Sequence, residues 1–228
     1  MLAPRVIEYP TSDGRPLGET DVHREQIIDL IHALEIYFRG RSDVYVSGNI
    51  LLFYEEGKRR KHRSPDVLVT LGIPAGQRDY YLLWEEGKAP DFIIEVTSKS
   101  TRMEDFGIKK ALYAAIGVRE YYIFDPLREY LTPSLRAYRL QGEEYVPMTG
   151  APMVSAVLGV ELRLVDDRLR IFDPGRGELL PTRAESQARA EQEAARADRE
   201  AARANEALLE NERLKAELQR LRSIARED

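Results

Sequence analysis

Two carboxylates stand inside runs that otherwise read as buried strands. Asp66 lies in Ser64-Pro65-Asp66-Val67-Leu68-Val69, and Glu95 lies in Phe92-Ile93-Ile94-Glu95-Val96. A strand covered on both faces is a continuous apolar run, so an acid within or beside one needs a compensating partner. Leaving a lone carboxylate desolvated costs several kcal/mol, roughly. Two such acids on neighbouring strands suggest a hard divalent cation and a positioned water. The plainer alternative is that each acid accepts hydrogen bonds from nearby backbone amides.

The segment after Glu95 supplies the third chemical group. Asp105, Lys109 and Tyr113 recur every four residues, so a helix would carry them on one face. As an exposed Asp105–Lys109 pair with Tyr113 beneath it, this would contribute under about 1 kcal/mol. Beside the two acids it completes a set suited to phosphodiester hydrolysis, which needs a cation at the phosphate, charge stabilisation and an oriented water. Mg²⁺ or Mn²⁺ takes oxygen ligands and keeps several waters, so Asp66, Glu95 and the Val96 carbonyl would suffice. Lys109 would neutralise developing charge and orient or activate the nucleophile.

Around these residues the chain predicts an orderly series of elements. Thr20 caps a helix running to about Phe38, with Ile27, Ile28, Ile31, Leu34 and Phe38 at helical spacing and Gly40 past its end. Strand-like runs follow at 44–46 and 50–54, turning around Ser47-Gly48-Asn49, then at 67–70, 80–84 and 92–96. Thr101-Arg102-Met103-Glu104 has the form of a capping box opening a helix to about Ile116, with Gly117 to end it. Glu120 to Phe124 is a strand stopped by Asp125-Pro126. Later runs at 135–140, 145–147, 160–165 and 169–172 read as short antiparallel strands. The core order is helix, three strands, helix, strand, with β additions behind it.

Composition bounds the rest. The 228 residues are 43% hydrophobic and 32% charged, which fits one domain over residues 1–180 plus an appendage over 181–228. The absence of cysteine excludes disulfides and thiolate metal sites, and three scattered histidines argue against zinc. With no long apolar run and no signal-peptide pattern, the expectation is a cytoplasmic protein with no membrane contact. A net charge of -5 argues against a protein that coats DNA. Yet Lys58-Arg59-Arg60-Lys61-His62-Arg63 is a nearly unbroken basic run beside Pro65-Asp66. It reads either as a solvated loop or as a phosphate-attracting one.

From about Pro181 onward Ala, Glu and Arg dominate, predicting one long exposed helix. Ala207, Asn211, Leu214, Leu218 and Leu221 step by four and three, the spacing of a coiled-coil seam with Asn211 at a core position. One buried asparagine often fixes register and favours two strands. A homodimer through this tail, or through the catalytic domain, is therefore expected. A solitary helix is the other possibility.

The ordered series Ser64-Pro65-Asp66, Ile94-Glu95-Val96-Thr97-Ser98-Lys99-Ser100-Thr101-Arg102, Asp105 with Lys109 and Tyr113, Gly117-Val118-Arg119-Glu120-Tyr121 and Asp125-Pro126 resembles the Uma-type putative restriction endonuclease family, within the PD-(D/E)XK nuclease superfamily. The resemblance covers roughly residues 15 to 175. It implies an α/β fold with a restriction-endonuclease-like αβββαβ core and mixed central sheet, metal-binding Asp66 and Glu95, and DNA as partner. The superfamily lysine two residues after the acid is replaced here by Thr97. Similar family members carry it on the next helix, at Lys109, with Lys110 and Lys99 as weaker substitutes. Asp105, Tyr113 and Thr97 would support the site, and Glu19, His23 or Glu25 on the first helix could approach the metal.

These residues together predict a Mg²⁺-dependent DNA endonuclease. Lys58, Arg59, Arg60, Lys61 and Arg63, with Lys99 and Arg102, would hold the DNA backbone. Two other readings stay open: a nuclease fold without turnover that serves as a binding module, and a phosphodiesterase acting on RNA or a nucleotide.

Overall fold

The computed structural model describes residues 9–10 and 20–224. α1 spans Asp21–Tyr37, and Thr20 caps it by accepting the His23 amide at 3.3 Å. Its apolar stripe buries Ile27, Leu30, Ala33 and Leu34. Strands β1 (Val44–Ser47), β4 (Val67–Leu71), β6 (Phe92–Val96), β7 (Glu120–Phe124), β8 (Leu135–Gln141) and β9 (Glu144–Met148) form the central sheet in the order β1-β4-β6-β7-β8-β9. Within this sheet β6 and β7 pair in parallel, and the β1–β4, β4–β6, β7–β8 and β8–β9 pairs are antiparallel. The parallel step needs a crossover, which the helix between β6 and β7 provides. The αβββαβ core and mixed sheet are therefore present.

The 50–54 run leaves this sheet. Its β2 (Leu52–Phe53) joins β3 (His62–Arg63) and β5 (Tyr81–Leu82) in a small second sheet. The apolar stretch after Tyr80 then turns into a short helix, α2 (Leu83–Glu86). A third sheet contains β10 (Met153–Ser155), β11 (Val160–Val165), β12 (Arg168–Asp173) and β13 (Glu178–Leu179). It packs with α1 on one face of the central sheet, where Val160, Leu162, Leu169 and Ile171 join Ile27, Leu30 and Leu34. The Gln26 side chain brings the two together by donating to the Leu169 carbonyl and accepting its amide.

Strand parity divides the core into two apolar layers. Val67, Val69, Phe92, Ile94, Val96, Tyr122 and Phe124 face α1. Leu68, Ile93, Tyr121 and Ile123 face the opposite layer with Tyr113. Because side chains alternate along a strand, Asp66 and Glu95 fall on this second face.

The crossover helix departs from the predicted form. Residues Glu104–Lys109 adopt a π-helical register that continues into α3 (Lys110–Ala115), and Gly117 ends it at φ 92°. The capping box does not form. Thr101 Oγ1 accepts the Ser98 amide at 3.1 Å, and the Arg102 amide reaches the Ser98 carbonyl, so the first turn starts at Ser98.

A second compact unit begins at Ala184. It belongs to α4, Arg183–Ile224, whose described side chains after Gln187 are all exposed. Among the described residues no helix is long and apolar enough to cross a membrane.

Candidate active site

The β4–β6 register pairs Val67 with Ile94, so one further step sets Asp66 opposite Glu95. Asp66 Oδ2 accepts the Val96 amide at 2.7 Å. Part of the plainer reading therefore holds for Asp66. It holds less for Glu95, whose partners are side chains. Lys109 Nζ donates to Glu95 Oε2 at 2.8 Å and the Tyr113 hydroxyl donates to Oε1 at 2.8 Å. Lys109 Nζ also lies 2.9 Å from Asp105 Oδ1, while Thr97 Oγ1 donates to Asp105 Oδ2 at 2.8 Å. The structure thus brings Glu95, Thr97, Asp105, Lys109 and Tyr113 into one buried cluster, with Asp66 at its rim.

The π-helical stretch sets this geometry. Its wider turn still leaves residues four apart as neighbours, so Asp105 and Lys109 both point at the sheet. Its backbone has a dedicated partner: the Tyr121 hydroxyl donates to the Asp105 carbonyl at 2.9 Å. Single π-helical turns inside helices are frequent at functional sites.

Asp66 is placed by a close backbone approach. A Cβ built on Gly48 would stand 2.1 Å from the Asp66 carbonyl oxygen and 2.6 Å from Ile31 Cδ1. Only glycine fits there. The neighbouring Asn49 amide donates to the Pro65 carbonyl at 2.8 Å and ties the same two loops together.

Glu95 and Asp105 pair with the one ammonium of Lys109, and the Asp66 carboxylate beside them adds to the negative charge around it. Burial pushes the Glu95 carboxyl well above the ordinary range; Asp66 and Asp105 add to this, and Lys109 opposes it. For Lys109, burial pulls the ammonium down, but Glu95, Asp105 and Asp66 outweigh it and hold it above its ordinary value. Burial dominates for Glu95 and the neighbouring carboxylates dominate for Lys109, and both causes favour keeping the proton.

That negative charge and the hard-oxygen donor set suit a divalent cation. The oxygens of Asp66, Glu95 and the Val96 carbonyl are ligand types that Mg²⁺ and Mn²⁺ take. Among the described residues, no three His, Asp or Glu side chains surround one point as a ready metal cage. A metal would therefore rest on the two acids, the carbonyl and solvent.

Of the three first-helix candidates, His23 reaches the site. It is buried, and its Nε2 meets the Val96 carbonyl and lies 3.9 Å from Asp66 Oδ2. Glu25 is exposed and pairs with Arg168 instead. Glu19 lies outside the described residues. The substitute lysines are elsewhere: Lys110 Nζ sits 3.8 Å over the Tyr138 ring, and Lys99 is exposed. Lys58, Arg59, Arg60 and Lys61 are exposed, Arg63 is half-buried in β3, and Arg102 is exposed with its guanidinium over Tyr130.

Sequence reasoning passed over Glu120, which meets the same criterion of an acid opening an apolar strand. It is fully buried but accepts from Arg139, Tyr122, Ser155 Oγ and the Ala156 amide. Its donors saturate it, and it anchors β10 to the central sheet. The pattern alone could not separate Glu120 from Glu95; the lysine four residues after an acid on the next helix could.

Comparison with curated proteins gives no significant match. Among solved structures, a putative nuclease belonging to DUF820 from Anabaena variabilis aligns at 14% identity and TM-score 0.44, over 61% of this chain and 73% of that one. The sequence profile described as Uma2, putative restriction endonuclease, matches residues 6–165. With more than half of the chain inside that match, the chain belongs to the Uma2 putative restriction endonuclease family.

Proposed function

We propose that this protein is a metal-dependent endonuclease that hydrolyses phosphodiester bonds in DNA. Asp66, Glu95 and the Val96 carbonyl would hold Mg²⁺ or Mn²⁺. The observation that carries the reading is the buried cluster in which Glu95 and Asp105 share the Lys109 ammonium, with half-buried Asp66 opposite Glu95 at its rim. A divalent ion there supplies Lewis acidity at the scissile phosphate.

The protein's own groups have distinct tasks in this reading. Lys109 is held charged, so it donates: it orients the attacking water and stabilises charge on the phosphate rather than removing a proton. Asp105 keeps the ammonium in place and is itself held by Thr97. Tyr113 fixes the Glu95 carboxyl. Exposed Lys58, Arg59, Arg60, Lys61, Lys99 and Arg102, with half-buried Arg63, would meet the DNA backbone. Such contacts are read by phosphate charge and not by sequence.

One observation favours a second reading, a nuclease fold used for binding. Both Glu95 oxygens already have donors, Lys109 and Tyr113, so the cluster is stable without an ion. A plasmid-cleavage assay at low salt with Mg²⁺ or Mn²⁺ separates the two. Endonuclease function predicts metal-dependent nicking lost in Asp66→Ala and reduced on the order of 10²–10³-fold in Lys109→Gln. Folded wild type that cleaves no DNA, and binds no Mn²⁺ by calorimetry, would leave the binding module. Cleavage of RNA alone would change the substrate and keep the site.

A further inference from the structure

We propose that residues 204–222 pair with a second copy of this chain as a parallel, in-register two-stranded coiled coil. The inference is independent of what the catalytic unit cleaves. α4 continues as helix through Ile224, and on it Leu208, Leu214 and Leu218 are 63%, 49% and 54% exposed. Asn211 is exposed too, and its amide turns back to the Ala207 carbonyl of its own helix at 3.0 Å. Placing Asn211 at position a puts Ala207 and Leu214 at d, Leu218 at the next a and Leu221 at the next d. Leu208 borders this seam at e, and Leu209 lies one position outside it.

The flanking charges decide the orientation. Glu210 is at g and Lys215 at e of the next heptad; Glu217 and Arg222 repeat the pair one heptad on. In a parallel coil each g residue meets the following e residue of the partner, so both pairs join opposite charges. An antiparallel coil sets g against g and e against e, which would oppose Glu210 to Glu217 and Lys215 to Arg222. Asn211 argues the same way. Parallel strands in register let the two asparagines meet, whereas antiparallel strands would face each one with an apolar d residue. Within its own helix Glu210 lies 4.0 Å from Arg213, a contact too long and exposed to commit it.

The lack of cysteine in the chain makes the test clean. The full chain is measured by light scattering across a dilution series, with single variants Ala207→Cys at d and Glu212→Cys on the outer face. A dimer mass is expected. Mild oxidation is expected to cross-link Ala207→Cys rapidly and Glu212→Cys slowly. Glu210→Lys should weaken dimerisation several-fold, and the double variant Glu210→Lys/Lys215→Glu should recover it. A monomer at every concentration overturns the proposal. So does a dimer in which Ala207→Cys cross-links no faster than Glu212→Cys, or one indifferent to Glu210→Lys.

Discussion

Lys109 has to satisfy two buried acids at once, and its removal exposes what the cluster costs. Glu95 and Asp105 are 0% and 1% exposed at their side chains and both pair with Lys109 Nζ. Breaking a buried pair by deleting one partner typically costs about 3–5 kcal/mol. Lys109→Ala should fall in that range by urea denaturation, with Lys109→Gln losing less because its amide can still donate. A loss below about 1 kcal/mol for Lys109→Ala would mean that water reaches the carboxylates and that the desolvation argument fails. Gly48 makes a different kind of demand. A methyl group there must push against the Asp66 carbonyl, a backbone atom that cannot swing away. Gly48→Ala is expected to cost about 1–3 kcal/mol as overpacking and to lower metal-dependent cleavage by displacing Asp66. Unchanged melting and unchanged cleavage would show that the loop yields freely.

The crossover segment shows how much of the site the sequence made legible. The four-residue spacing of Asp105, Lys109 and Tyr113 predicts a shared face, and they do share one. The spacing could not reveal the π-helical register, because neighbours four apart meet in both helix types. A tertiary partner holds its backbone, the Tyr121 hydroxyl donating to the Asp105 carbonyl, and no local pattern encodes a bond between residues on different elements. The capping box failed for a related reason: the Ser98 turn claims Thr101 before Glu104 can use it. The central strands and α1 were legible from their apolar runs and spacing, whereas the separation of β2 from β1 into another sheet was not, since both runs look alike alone. Tyr121→Phe tests the element. It keeps the ring stacked near Tyr138 and Tyr145 and removes only the donor. The expected result is a loss of about 0.5–1.5 kcal/mol for the deleted hydrogen bond, together with reduced cleavage as the helix relaxes and Lys109 shifts. A stability loss without any change in cleavage would show that the π-helical register does not set the lysine.

Across the whole molecule, buried tyrosines tie the two core layers to pH. Of the 12 tyrosines, Tyr81, Tyr113, Tyr121 and Tyr122 are fully buried, spread over β5, α3 and β7. Burial raises all four hydroxyls: Tyr81 is pushed up to about 12, and Tyr113, Tyr121 and Tyr122 are also held well above the ordinary value, helped by Glu95 for the first two and Glu120 for the last. In the unfolded chain each would ionise near 10. A group whose folded pKa lies above its unfolded value contributes stability in full below the unfolded value, and that contribution is lost as pH rises toward the folded one. The fold should therefore hold its stability up to about pH 10 and lose it steeply beyond, as the unfolded state releases protons that the folded state retains. Absorbance at 295 nm should show the exposed tyrosines titrating first, reversibly and with circular dichroism intact. The buried set should follow only with loss of secondary structure, in one cooperative step. If all 12 ionise near 10 while the dichroism stays native, solvent penetrates both layers, and the dry surroundings on which the Asp66, Glu95 and Lys109 argument depends are absent.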